Sequence, residues 1–237
     1  MLKNIIRKRV DLAIVPLFIL AEIILSIYVQ IGEKYNNVVA YCSVALAFLF
    51  VIYYFKKDYL WLFTACAMIF TLCADVFLVL IEPRKQLLAM FIFNFAQIAY
   101  ALRLFNSQTT KKAKIIHLII RIFTCIVSVI ATIIVLNDNL NLLSVVSIVY
   151  YSNLIINIVY AFIVRDYIFA IGLVFFAFCD AFIGLDVLSE GVLNITNQSL
   201  LYNILHPGFD PVWACYVPSQ TLIALSIFQH KHKFTKL

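Results

Sequence analysis

Apolar residues fall in eight long runs separated by short polar breaks, near residues 12–31, 38–55, 60–81, 86–105, 115–136, 142–164, 167–188 and 211–230. A hydrocarbon core requires about 20 mostly apolar residues per crossing helix, so each run predicts one transmembrane helix. The runs are far longer than the ~10-residue alternating segments of an outer-membrane barrel. The expected fold is therefore all-α: a polytopic membrane protein with eight transmembrane helices in a single transmembrane domain over residues 1–237. The first run has a basic front like a signal peptide, but it is too long and no small-residue cleavage site follows, so it is expected to remain as a span. Loops are short except 189–210.

Composition agrees with the pattern. Hydrophobic residues make up 65% of the 237 and charged residues 13%, a balance that excludes a soluble domain. A net charge of +6 raises nucleic acid as a partner, but the placement of the basic residues argues against it. Fourteen fall on one side of the eight spans: Lys3, Arg7, Lys8, Arg9, Lys56, Lys57, Arg103, Lys111, Lys112, Lys114, Arg165, Lys231, Lys233 and Lys236. Only Lys34, Arg84 and Lys85 fall on the other, so the positive-inside rule puts both termini in the cytoplasm. Arg121, in the first turns of helix 5, could snorkel to the same cytoplasmic side. The expected partners are membrane lipids, not nucleic acid, and the oligomeric state is unknown. The membrane is the bacterial inner membrane, or the endoplasmic reticulum if the source is eukaryotic. Only in the second case would the acceptor triplets at Asn194 and Asn197 matter.

The cysteines (Cys42, Cys66, Cys73, Cys125, Cys179 and Cys215) lie within spans without a Cys-x-x-Cys pair and read as small apolar residues. His117, His230 and His232 lack ligand spacing, so no metal is expected. His206, in a turn before helix 8, could shuttle protons over a cavity.

Against this background a few polar side chains stand out. Asp75 lies in Leu72-Cys73-Ala74-Asp75-Val76-Phe77-Leu78 and Asp180 in Phe178-Cys179-Asp180-Ala181-Phe182. A charge at the bilayer centre costs about 2.5–3.5 kcal/mol on insertion scales, so such residues face a bundle interior or an aqueous cavity. Glu22 shares a face of helix 1 with Ser26 and is either a packing residue or part of a site. Asn94, Gln97 and Tyr100 line one face of helix 4. Tyr150, Asn153, Asn157 and Tyr160 line one face of helix 6, either as glue or as a cavity wall. Helix 5 has no such stripe and is expected at the periphery. Helix 8 carries Tyr216 and Gln220 one turn apart, with Pro218 between them to kink the helix or free a carbonyl.

Some of these phrases recur. Asp-x-Phe-[Leu/Ile]-x-Leu at Asp75 reappears at Asp180, Gln97 to Leu102 resembles Gln220 to Leu225, and Lys57-Asp58-Tyr59-Leu60 resembles Arg165-Asp166-Tyr167-Ile168. This predicts a 4+4 internal repeat with halves at about 10–106 and 112–230, parallel because each half has an even number of crossings. Helices 3, 4, 7 and 8 would then surround a shared interface where the two aspartates approach each other.

Carboxyl groups out of water tend to keep a proton, and a second acid nearby favours this further. Such a pair can combine a general acid with a charge-stabilising base, which suits ethers and acetals cleaved through oxocarbenium-like cations. Three readings fit these residues: aspartates that only fix the bundle, a transport pathway, and acid–base catalysis.

Four phrases bear a family resemblance: Leu72 to Leu78, Phe95-Ala96-Gln97-Ile98-Ala99-Tyr100, Phe178 to Phe182, and Tyr216-Val217-Pro218-Ser219-Gln220. Together they resemble the YhhN-like lysoplasmalogenases, eight-helix membrane proteins that hydrolyse the vinyl ether bond of lysoplasmalogens. The resemblance implies a membrane-embedded hydrolase releasing a fatty aldehyde and a glycerophospho-alcohol from a lysophospholipid, without a cofactor. Asp75 and Asp180 would be catalytic; Gln97, Gln220, Asn94, Tyr100, Asn153, Asn157, Tyr216 and Glu22 would position substrate or water. Ala74, Cys179 and Gln97 stand where the family pattern has Gly, Ser and His. The alternative is a non-catalytic carrier or receptor for a small amphiphile using the same polar cavity.

Overall fold

The computed structural model describes residues 2–32, 36–55, 58–108, 110–137, 140–191 and 208–228, the side chains of 2–12 and 187–191 excepted. The acceptor triplets at Asn194 and Asn197, and His206, His230 and His232, lie outside the described residues. Among the described residues, eight helices are long and apolar enough to cross a membrane and no strand occurs. The chain is an integral membrane protein.

The helices are α1 (Leu2–Ile31), α2 (Asn36–Tyr53), α3 (Tyr59–Asp75), α4 (Gln86–Ser107), α5 (Lys111–Leu136), α6 (Leu142–Ile163), α7 (Tyr167–Gly191) and α8 (Pro211–Leu225). Local chemistry sets several starts. Asp58, Thr110, Asn141 and Asp210 are N-caps whose side chains accept backbone N–H bonds of the first turn, and Pro211 follows Asp210, where a missing N–H costs nothing. The third apolar run is not one uniform helix: its α-helical part stops at Asp75, and Val76–Leu80 forms a π-helical turn. Such turns widen the helix locally and often mark functional sites. Pro218 falls inside α8, so the Ala214 carbonyl loses its usual donor.

Each of six helices packs on the next around a ring, in the order α2, α3, α4, α6, α7, α8 and back to α2. α1 lies outside the ring against α2 and α8, and α5 lies outside it against α6. Interfaces in lipid depend on close packing, since apolar side chains gain little by leaving hydrocarbon. Small residues accordingly face the closest contacts. Ala67, Ala74, Ala89, Ala96 and Ala99 are buried on α3 and α4. On α7, a Cβ at Gly172 would stand 3.0 Å from Ile223 Cγ1 and 3.1 Å from the Ile223 backbone nitrogen of α8. Outward faces carry Leu, Ile and Phe; on α5 these include Ile115, Leu118, Ile119, Ile122, Phe123 and Ile126.

α5 is peripheral, as its sequence predicts, but it is not without polar attachment. Arg121 donates to Asn153 Oδ1 at 2.6 Å and to Asn157 Oδ1 at 2.7 Å, and adjoins His117. His117 stacks on Tyr160 with ring centroids 3.6 Å apart. Arg121 therefore turns inward onto α6 instead of snorkelling, because two carbonyl acceptors lie within its reach.

At the end of the bundle where α1 begins, the ring closes on an ion pair. Arg103 is fully buried and donates to Asp166 at 2.5 Å, to Thr64 at 2.6 Å and to Ser226 at 2.7 Å. Its guanidinium also lies 4.0 Å from the ring centre of Phe169, in cation–π range. These contacts join α3, α4, α7 and the 3-10 turn that follows α8. The sequence places Arg103 among loop-flanking cations; its side chain instead runs into the ring because Asp166, at the start of α7, faces it.

Candidate functional site

The opposite end of the ring holds a cavity of about 490 Å³. Its walls come from α3 and its π-helical turn, α4, α7 and α8, with Asn37 at the start of α2. Asp75 and Asp180 both line it. They reach one space because α3 and α7 both run toward this end and stand on opposite sides of the ring.

Each carboxylate is held by a tyrosine from a neighbouring helix. The Tyr216 hydroxyl of α8 donates to Asp75 Oδ2 at 2.7 Å, and the Tyr150 hydroxyl of α6 donates to Asp180 Oδ2 at 2.5 Å. Asp75 is 3% exposed, while Asp180 is half-buried. Among the described residues neither forms an ion pair. Phe93 and Phe176 cover the apolar side, with Phe176 packed on both Tyr150 and Tyr216. The π-helical turn brings Leu78 and Val79 to the wall directly beyond Asp75.

The mouth is more polar. Arg84, Gln86, Asp186 and Asp210 line it together with Trp213. The Gln30 side chain holds the backbone of Asp210, accepting from its N–H at 2.8 Å and donating to its carbonyl at 3.0 Å. This ties the end of α1 to the start of α8 beside the opening.

A family comparison meets this geometry directly. The YhhN family model matches residues 36–227. The chain belongs to the YhhN family. No curated protein and no solved structure matched it. The matched span includes every cavity-lining residue and all six ring helices, whereas Glu22 on α1 lies outside it.

In this YhhN protein the residues singled out from sequence divide into three groups. Asp75, Asp180 and Tyr216 meet at the cavity. Gln97, Tyr100 and Gln220 lie deeper in the ring and are fully buried. The others join helices: Asn94 donates to the carbonyls of Met90 and Val146, Asn153 accepts from Arg121, and Asn157 donates to Gln97 Oε1 at 3.0 Å. Glu22 accepts from Ser43 between α1 and α2. The ladder on α6 thus works as glue at Asn153 and Asn157, and as part of the site only at Tyr150.

The deeper group carries an unusual density of unmet hydrogen-bonding capacity. Gln220 Nε2 and Oε1, Gln97 Nε2, Ser219 Oγ and Thr71 Oγ1 are buried without a partner among the described residues. The Tyr100 hydroxyl adjoins Thr71 without an aligned bond. Each unmet buried polar group costs about 1–3 kcal/mol, against a net folding stability of about 5–15 kcal/mol. The sequence marks Gln97 and Gln220 as positioning residues and carries Ser219 within the helix 8 phrase, but no spacing singles out Thr71. Sequence reasoning also read Tyr150 only as one rung of a ladder and missed Asp186, Asp210 and Trp213. The Asp210-Pro211 pair was the available signal for the last group, since it marks a capped helix start that puts an acid beside the helix mouth.

Proposed function

We propose that this YhhN protein is a membrane-embedded ether hydrolase of the lysoplasmalogenase type. It would cleave the vinyl ether bond of a lysophospholipid to a fatty aldehyde and a glycerophospho-alcohol. The observation that carries this reading is a pair of carboxyl groups, neither in an ion pair among the described residues, lining one cavity with an apolar wall and a polar mouth.

The chemistry follows from the pair. One carboxylic acid transfers its proton to the vinyl carbon distal to the oxygen, and the double-bond electrons move to leave an oxocarbenium ion. The other carboxylate stabilises that cation and removes a proton from the water that adds to it. Collapse of the hemiacetal returns its hydroxyl proton to the first carboxylate and breaks the original ether carbon–oxygen bond, while the second carboxyl group protonates the leaving alkoxide; alcohol and aldehyde result and both groups are reset. Tyr150 and Tyr216 hold the two carboxyl groups in place. Gln97 stands where the family pattern has His; it can orient water through its amide but cannot titrate. Phe93 and Phe176 offer an apolar surface for an alkenyl chain.

The reading includes a topology. With both termini cytoplasmic, as the basic residues favour, the cavity opens at the non-cytoplasmic face of a bacterial inner membrane or an endoplasmic reticulum membrane. It also includes a parallel duplication. The register that aligns Asp75 with Asp180 aligns Ala67 with Gly172, both at close helix contacts, and the one that aligns Gln97 with Gln220 aligns Arg103 with Ser226, which bond to each other. The outer placement of α1 on α2 and of α5 on α6 supports the same relation.

Purified protein in detergent should release aldehyde from a lysoplasmalogen and none from an ester-linked lysophospholipid. The Asp75→Asn/Asp180→Asn double variant should release none. Failure of the folded wild type to release aldehyde, with gradient-dependent flux of an amphiphile in proteoliposomes, would replace the hydrolase by a carrier.

A further inference from the structure

The interior of the ring does not become apolar beneath the carboxyl groups. One helical turn from Asp75, away from the mouth, is Thr71; one turn from Tyr216 in the same direction is Gln220, with Ser219 beside it; α4 adds Gln97 and Tyr100. α3 and α8 run in opposite directions, so the Tyr216 to Asp75 hydrogen bond fixes the level at which Thr71 and Gln220 face each other, about 6 Å deeper. All five side chains are fully buried. Their unmet atoms include the amide donors of Gln97 and Gln220, the Gln220 carbonyl acceptor, and three hydroxyls able both to donate and to accept.

This set selects its occupant by chemistry. An apolar group would leave every one of these atoms unsatisfied, and none of these side chains carries a formal charge to hold an ion. Water both donates and accepts, and buried water typically makes about three hydrogen bonds to otherwise unmet polar groups.

We propose that this layer is a water-binding chamber that joins the cavity at Asp75 and supplies, from behind, the water consumed in vinyl ether hydrolysis. The supply role rests on the hydrolase reading; the chamber itself does not. An alkenyl chain seated against Phe93 and Phe176 fills the cavity from the mouth side and excludes water there. The chamber lies on the other side of the carboxyl pair. One water leaves it in each turnover: its oxygen bonds to the oxocarbenium carbon and its proton passes to the carboxylate. Gln97 and Gln220 are positioning residues in this scheme, acting on the water and not on the lipid.

Radiolytic hydroxyl-radical footprinting of the purified protein tests the chamber, because radicals formed from bound water oxidise side chains that bulk solvent does not reach. Tyr100 and Met68 are both fully buried, but Met68 packs in an apolar cluster with Phe50, Val51 and Ala65. Water at Tyr100 and none at Met68 should oxidise Tyr100 at ten or more times the rate of Met68, although methionine is the more reactive side chain. Tyr100 oxidised no faster than Met68 would overturn the chamber. Gln220→Leu, or Thr71→Val if the first does not fold, should bring Tyr100 oxidation down to the Met68 level and lower kcat on a lysoplasmalogen at least tenfold, with KM within twofold. Lost oxidation with unchanged kcat would overturn the supply role. If wild-type Tyr100 is oxidised but no vinyl ether is cleaved, the hydrolase reading and the supply role both fall and the chamber stands.

Discussion

Two clusters of buried charge occupy opposite ends of the same six-helix ring, and they are built on opposite rules. At the end where α1 begins, Arg103 and Asp166 form an ion pair that also engages Thr64, Ser226 and the ring of Phe169. At the other end, Asp75 and Asp180 have tyrosine hydroxyls as partners, no ion pair among the described residues, and a cavity in front of them. A charge that is paired and enclosed stabilises one arrangement of helices. A carboxyl group left without a cation beside open space keeps its proton-transfer capacity for something that enters. Buried charge alone therefore does not mark a candidate site; a carboxyl group in no ion pair and beside a cavity does.

The largest expected effect breaks the cavity end only. Asp75→Asn and Asp180→Asn should each lower vinyl ether hydrolysis by at least a thousandfold, about 4 kcal/mol in transition-state stabilisation, while thermal melting in detergent shifts by no more than a few degrees. If either variant melted as early as an Arg103 variant, the aspartates would belong with the structural pair. The Arg103 end should respond the other way. Arg103→Met leaves Asp166 buried without its cation, and breaking a buried pair by removing one partner costs about 3–5 kcal/mol. Its melting temperature should drop sharply, and Arg103→Met/Asp166→Leu should recover part of the loss, since an apolar pair of similar volume is often tolerated.

Much of the helical frame was legible because a membrane imposes one period and one length on every crossing. The eight runs give spans that the structure places within a few residues. The π-helical turn after Asp75 was not legible, since Val76 to Leu80 is as apolar as any α-helical stretch. Nor was the inward turn of Arg103 or Arg121. An arginine near a span end snorkels or pairs according to what the facing helix offers, and no spacing within one helix reveals that. The Asp75 and Asp180 phrases were legible because charge in lipid is costly, and Tyr216 stood out beside Gln220; which tyrosine holds which carboxyl group was not legible, because Tyr is common at both interfaces and interiors.

A smaller effect sharpens the comparison at the cavity. Tyr216→Phe and Tyr150→Phe remove one hydrogen bond from each carboxyl group without changing ring packing. A bond to a charged group contributes about 1.5–3 kcal/mol, so kcat should fall about tenfold or somewhat more, with KM nearly unchanged and melting nearly unaltered. A loss confined to KM would mean that the tyrosines bind lipid instead of positioning the carboxyl groups.

The smallest expected effect concerns another buried carboxyl group, Glu22, and isolates the cavity as the deciding feature. Glu22 is 3% exposed, like Asp75, and also accepts from a hydroxyl, that of Ser43. It differs in facing the α1–α2 contact outside the ring, in not lining the cavity, and in lying outside the span that matches the family. Gln at this position keeps the shape and an acceptor for Ser43, and its amide adds a donor where Glu22 Oε1 has no partner. Glu22→Gln should therefore leave kcat within twofold and shift melting by only a degree or two. If it instead lowered kcat tenfold with the fold intact, a buried carboxyl outside the cavity would be shown to take part in turnover. The cavity would then no longer separate catalytic acids from structural ones in this ring.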